Sequence, residues 1–275
     1  MISFVATPIG NLKDITLRAL EALRAADAIF CEDTRHTLGL LNAYEIKKPL
    51  FSCHKFNERE AAERILALSR EGKQVCIVSD AGMPVVSDPG REVCRILKEA
   101  GEPYTVLPGA NAALCALVLS AFPADRFTFI GFLPDKKSER KALLERYSAA
   151  QETLLFHCAP QDVDGYVASM FETFGERRAC AVREITKLHE ESEQFLLSEG
   201  LKSEKRGEYV LVVEGAKPAE NALNALTVRE HVAAYEAQGL DRKEALKRTA
   251  RDRGISKSDV YREVVRAEEE TNSEC

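Results

Sequence analysis

Two short stretches of this chain concentrate side chains able to hold a proton or grip an anion. Residues 31–37, "CEDTRHT", place Glu32, Asp33, Arg35 and His36 directly behind an apolar run. Residues 182–191, "VREITKLHEE", repeat the mixture with Arg183, Glu184, Lys187 and His189. Carboxylates and imidazoles serve as general acids and bases, while guanidinium and ammonium groups bind anionic oxygen. Taken singly, each charge reads more simply as a salt-bridged or solvated strand end. Two such clusters in one chain suit a substrate grip.

Three turn-rich loops stand where such a grip needs walls: Thr7–Asn11, Asp80–Gly90 and Pro108–Asn111. The second belongs to "VSDAGMPVVSDPG", which packs two Ser-Asp pairs, two Gly and two Pro behind the apolar run Val75–Val78. Gly lets a backbone approach a ligand closely, and Pro shapes a loop before anything binds. The bland alternative is that these residues only turn the chain. No G-x-G-x-x-G, Walker loop, G-x-S-x-G or H-E-x-x-H occurs, so the commoner dinucleotide, phosphate and hydrolase readings lack support. Cys53-His54 and His157-Cys158 lack zinc-like spacing, and no metal is expected.

The elements that must carry these loops alternate. Strand patterns at Ile2–Ala6, Ala28–Cys31, Pro49–His54, Val75–Val78 and the segment opening "YTVLPG" are separated by helical ones. Near-continuous apolar strands between helices predict a mostly parallel sheet covered on both faces. Asn57 with Glu60 reads as a capping box, and Gly72 as the stop of that helix. Further strands are expected at Phe127–Phe132, Leu154–His157, Ala179–Arg183 and Tyr209–Val213, with helices at about 136–149 and 160–174 between them. In open α/β sheets, ligands bind beyond the carboxyl ends of the strands, where the three loops lie.

The 275 residues, 45% hydrophobic and 30% charged, describe a globular chain of one large or two ordinary domains. No apolar run approaches the roughly 18 residues of a membrane span. The opening residues carry no signal-peptide pattern, and the eight Cys are scattered singly, so a reducing cytoplasm is expected. Net charge is −6, which argues against wholesale binding of nucleic acid. Residues 240–266, however, hold nine Lys or Arg against five acids, and the tail after them is acidic. Asp241, Gly254 and Ser256 with Asp259 punctuate three short helices from about 226 to 266, and two of them joined at "RGISKSD" resemble a helix-turn-helix. That module is either a solvated mini-core or a contact for a phosphate backbone.

Taken together, "FVATPIGNLKDITLRAL", "EDTRHT", "VSDAGMPVVSDPG", "LPGANAA", "GFLP", "REITK" and "GEYVLVVEG" resemble the ribosomal RNA small subunit methyltransferase I family, within the tetrapyrrole methylase (class III) superfamily. The resemblance runs in order through nearly the whole chain. It implies an α/β fold of two domains, 1–122 and 123–218, with the cofactor cleft between them. A small helical module at 226–267 and an acidic tail at 268–275 complete the expected organisation. It implies S-adenosylmethionine as cofactor, a homodimer, and methyl transfer to the ribose 2′-oxygen of a cytidine in the decoding centre of 16S ribosomal RNA.

By the same resemblance Asp80, Ala81, Gly82 and Met83 line the methyl donor, Asn111 and Ala112 flank it, and Pro8 and Ile9 close the near side. His157, Cys158, Arg183, Glu184 and the start of "EYVLVV" complete the pocket from the second domain. Glu32, Arg35, His36 and Lys187 are the candidates for gripping the nucleotide and easing loss of its hydroxyl proton. The sequence departs from the family at "FHCAPQDV", which lacks a His-Arg pair, and the stretch between "REITK" and "GEYVLVVEG" is short. A methyltransferase of small tetrapyrrole-type molecules and a non-catalytic RNA- or ribosome-binding relative are the alternatives.

Overall fold

The central strands of the first sheet are buried along their length because helices cover it on both faces. In the computed structural model, residues 1–203, 205–217 and 221–273 are described, 266–273 as backbone alone. β1 (Ile2–Val5) leads to α1 (Leu17–Ala25), β2 (Ala28–Cys31) to α2 (Thr34–Ala43), and β3 (Leu50–Ser52) to α3 (Glu58–Arg70). β4 (Val75–Val78) leads to α4 (Arg91–Glu99) and β5 (Tyr104–Leu107) to α5 (Ala112–Ser120). All pairings are parallel, in the order β3-β2-β4-β1-β5.

Successive side chains point to opposite faces. Ile2, Phe4, Phe30 and Ile77 pack with Ile65 of α3 and Leu97 of α4. Val5, Ile29, Cys76 and Val78 pack with Leu23 of α1 and Leu41 of α2. Adjacent strands β1 and β4 therefore send their connections to opposite faces, which opens a crevice at their carboxyl ends.

Local signals start the helices. Thr16 accepts from the Ala19 N–H at 3.1 Å and Asn111 from the Leu114 N–H at 3.0 Å, satisfying donors left free in the first turn. The expected capping box at Asn57 does not form. Its Oδ1 instead accepts from the His54 N–H at 2.7 Å, while its Nδ2 donates to the Ser52 carbonyl at 3.2 Å. A tight turn ahead of α3 competes for the same amide and wins.

The second sheet comprises β6 (Phe127–Phe132), β7 (Thr153–Cys158), β8 (Arg178–Arg183), β9 (Glu191–Leu196) and β10 (Tyr209–Val213). α6 (Lys137–Glu145) and α7 (Val163–Phe174) lie among them in the chain. The order is β6-β7-β10-β8-β9; β6 and β7 are parallel and the other pairs antiparallel. β9 was not among the expected strands. "ESEQFL" sits at the sheet edge with its alternate residues exposed, so it carries no apolar run.

One face of this sheet is covered by α6 and α7, where the fully buried Tyr166 donates its hydroxyl to the Leu133 carbonyl at 2.8 Å. The opposite face receives α5: Ala113, Ala116 and Leu117 pack with Leu155, Val182 and Val210. Both sheets thus fall in one compact unit, Met1–Ala216.

Lys217–Cys275 form a second unit. α8 (Val228–Ala237), α9 (Arg242–Arg253) and α10 (Lys257–Ser273) enclose Val232, Leu246, Ala250, Val260 and Val264. Asp241 caps α9 by accepting from the Glu244 N–H at 2.8 Å, and Gly254 ends it at φ +65°. α10 continues well past the expected end of the module. Side chains of the acidic tail at 268–275 lie outside the described residues, as do residues 274–275 entirely. No helix among the described residues is long and apolar enough to cross a membrane.

Candidate active site

The loops after β1 and β4 are zipped together. The Thr7 N–H donates to the Gly82 carbonyl at 2.9 Å and the Gly82 N–H returns to the Thr7 carbonyl at 3.1 Å. The Thr7 hydroxyl donates to the Ser79 carbonyl at 3.1 Å, and the Ser79 hydroxyl to the Gly82 carbonyl at 3.2 Å. Gly82 holds φ +83°, and a Cβ there would stand 3.3 Å from the Ile9 side chain. Further on, Val85 and Ser87 hold φ +78° and +67°. Such left-handed conformations cost on the order of 1–2 kcal/mol per residue and persist where surrounding structure enforces them. Preorganisation is what this loop's composition achieves.

A cavity of about 440 Å³ opens beyond these loops, within the usual range of small-molecule sites. Ile9, Asp80, Ala81, Gly82 and Met83 line it together with Asn111 and Ala112 at the start of α5. His157 and Cys158 at the end of β7 face them from the second sheet. An adjoining cavity of about 600 Å³ shares Ile9, Asp80, Ala81 and Glu208, and is lined also by Pro8, Arg35, His36 and Lys187.

Of the residues singled out from sequence, Glu32 lines the first cavity, while Arg183 and Glu184 line neither. Arg183 turns instead to Glu191 on the neighbouring strand, Nη2 to Oε2 at 2.6 Å. Val86, Ser87, Asp88 and Phe132 line the first cavity without having been singled out. Asp88 belongs to the second Ser-Asp pair of the quoted loop and Phe132 to "GFLP", so both lay in sight as motif members. Glu208 and Tyr209 open "EYVLVV" and line it too.

The first cavity is anionic. Glu32, Asp80 and Asp88 line it, and the Asp80 carboxylate accepts from the Asp33 N–H at 3.1 Å, tying the β2 loop to the β4 loop. Burial pushes the Asp88 carboxyl up to about 6, and Glu32 and Asp80 add to the rise. Burial likewise raises Glu32, with Asp80 reinforcing it while His54 and Lys55 pull the other way. Burial lowers His157, which keeps a neutral imidazole against the Phe129 and Phe132 rings. Burial pushes the Cys158 thiol to about 12, so it offers no thiolate. No group of His, Cys, Asp and Glu among the described residues could hold a metal ion.

The second cavity is where the cations gather. Lys187 Nζ lies 2.9 Å from Glu184 Oε1 and 3.3 Å from Glu208 Oε2. Burial alone would lower its pKa, yet these carboxylates outweigh it and the group is raised, hence cationic. Its stem passes over Gly10, where an added Cβ would stand 2.6 Å from Lys187 Cε. Gly207 likewise leaves room for the Glu184 carboxyl. Glu184 and Thr186 hold φ +50° and +66° in the turn that presents Lys187. Arg35 is bound in place by Asp33, with Nη2 to Oδ2 at 2.7 Å and Nε to Oδ1 at 3.1 Å. Hydrogen bonds from Arg35 hold the Asp33 carboxyl well below its ordinary range.

Residues 1–200 match the family described as Tetrapyrrole (Corrin/Porphyrin) Methylases. A Bacillus subtilis (strain 168) protein named ribosomal RNA small subunit methyltransferase I is 40% identical over 270 residues, covering 95% of this chain and 92% of that one. A Thermotoga maritima protein of the same name is 42% identical over 215 residues, 77% of this chain but 96% of that one. Among solved structures, uroporphyrin-III C-methyl transferase from Thermus thermophilus, complexed with S-adenyl homocysteine, aligns at TM-score 0.53 and 18% identity. The alignment covers 78% of this chain and 96% of that one, and at such identity it speaks to the fold.

Proposed function

This chain belongs to the tetrapyrrole (corrin/porphyrin) methylase family and is a methyltransferase, and we propose that it moves a methyl group from S-adenosylmethionine to the ribose 2′-oxygen of a cytidine in the decoding centre of 16S ribosomal RNA. The relatives' name supports the RNA. The observation that carries the reading is the pairing of two cavities: an anionic one that suits the donor, beside one to which Arg35, His36 and Lys187 bring the nitrogen donors that suit a nucleotide.

The residues present fit the donor. Ile9, Met83, Val86 and Phe132 offer apolar walls, while Glu32, Asp80 and Asp88 complement a cation. Gly82, without a Cβ, lets main chain approach the ligand. When bound, the cofactor supplies a methyl carbon on a sulfonium, whose S–C bond breaks as the new O–C bond forms, leaving a neutral thioether.

Positioning dominates such an in-line displacement. Arg35 and His36 hold the nucleotide at the mouth of the second cavity. Lys187 stays protonated and stabilises negative charge growing on the 2′-oxygen. Glu32, with its raised pKa, takes the departing hydroxyl proton. We infer a cytoplasmic location, in keeping with a ribosomal RNA substrate.

Calorimetry should show S-adenosylmethionine binding. Labelled donor should methylate 30S subunits lacking the modification, with the product mapping to a cytidine ribose. Replacing Lys187 with Ala should cut turnover about 10²–10³-fold and leave donor affinity unchanged. Donor binding without any transfer to 30S subunits would overturn the substrate, and a methylated base would overturn the 2′-oxygen.

A further inference from the structure

Phe56 is 84% exposed, at the tip of the connection between β3 and α3. A large aromatic on a surface needs no explanation by itself. This one, however, is held out by a braced turn. The Asn57 side chain spans it, accepting from the His54 N–H at 2.7 Å and donating to the Ser52 carbonyl and hydroxyl at 3.2 and 3.1 Å. The Asn57 N–H closes it on the His54 carbonyl at 2.9 Å. The side chain expected to cap α3 has been diverted to hold this turn.

A cation and an imidazole flank the ring. Lys55 Nζ lies 4.8 Å from the Phe56 centroid, and the His54 imidazole meets it edge-on at 6.1 Å. The turn also has a place in the site. It leaves β3 beside β2, with the Cys53 N–H donating to the Cys31 carbonyl at 2.7 Å, so it runs alongside Glu32 on the cavity wall. His54 and Lys55 do not line the cavity, but both act on the carboxyl of Glu32, which does.

We propose that the 53–57 turn is a stacking platform for single-stranded RNA, with Phe56 receiving a base that flanks the methylated nucleotide and Lys55 meeting the adjoining phosphate. This rests on the RNA-methylating reading and adds what that reading lacks, a contact for the neighbouring nucleotides. Every base has a π-face, so an aromatic beside a cation grips unpaired strands with little regard for sequence. A duplex hides those faces. The platform therefore selects an unpaired or splayed segment. Rigidity matters here, because a preformed ring loses little entropy on stacking.

The test uses the full chain, with 30S subunits as substrate and a short fluorescent cytidine-rich RNA as binding probe. Phe56→Ala should weaken probe binding and raise the KM for 30S subunits about tenfold, leaving kcat and donor affinity as they were. Phe56→Trp should restore binding. Lys55→Ala should reduce the slope of log affinity against log salt by about 0.7. Unchanged probe affinity in Phe56→Ala overturns the proposal, and so does a defect seen with 30S subunits but not with the probe, which would assign Phe56 to a ribosomal protein. If wild-type protein fails to methylate 30S subunits, the RNA reading itself falls. Wild-type activity with an indifferent Phe56 removes the platform alone.

Discussion

Asp88 shows how a cavity can tune one carboxyl. It is half-buried, and burial, then Glu32 and Asp80, push it up to about 6, against a hydrogen bond from Ser79 that pulls it down. An unfolded Asp titrates near 3.9. Between those values the folded protein keeps a proton that the unfolded chain has released. The stability gained is therefore present in acid and lost as pH rises through about 6. Affinity for a cationic donor runs the other way, since the carboxylate that attracts it forms over the same interval. Calorimetry across that interval should show donor affinity rising with pH, and Asp88→Asn should remove the rise. A wild-type affinity flat across this range would deny Asp88 the role.

At the scale of elements, α9 and the start of α10 separate two kinds of arginine that look alike in sequence. Arg253 donates to His231 Nδ1 at 3.1 Å and to the Leu223 carbonyl at 3.3 Å, so it ties its own unit together. Arg248, Arg251 and Lys257 are exposed. If these three meet phosphates, replacing them with Ala should weaken RNA binding and lower the salt slope by about 0.7 for each phosphate no longer neutralised, with donor binding untouched. An unchanged slope in filter binding across a salt series would return the module to a solvated mini-core. Nearly the whole Thermotoga maritima relative aligns with only 77% of this chain.

At the scale of the whole molecule, α5 joins the two sheets and leaves an apolar face uncovered. Its inner side packs on β7, β8 and β10, while Leu114 and Val118 stay exposed, Val118 at 79%. The expected homodimer has its best candidate face here, because burying such side chains contributes roughly 1.5–3 kcal/mol each. Val118→Asp should shift the protein toward monomer in sedimentation while leaving the secondary structure of the chain intact. A wild-type monomer, or a dimer indifferent to the charge, would place the interface elsewhere.

The order of amino acids was enough to specify the parallel first sheet and its three loops. Strands buried on both faces must be apolar throughout, and a preformed loop must spend Gly and Pro where the backbone turns. It was enough, too, for the helix boundary at Asp241, where one side chain satisfies its own local backbone. Polar elements gave no such signal: β9 is an edge strand that exposes Ser192, Gln194 and Leu196 and has no apolar run, and Asn57 had two local partners to choose between. Which charges meet was left to the folded chain. Lys187 reaches the cavity of Arg35 and His36 because its stem clears Gly10, whereas Arg183, four residues earlier, is drawn to Glu191. Partnership between charges distant in sequence depends on which strands become neighbours, and that is settled by packing of the whole chain.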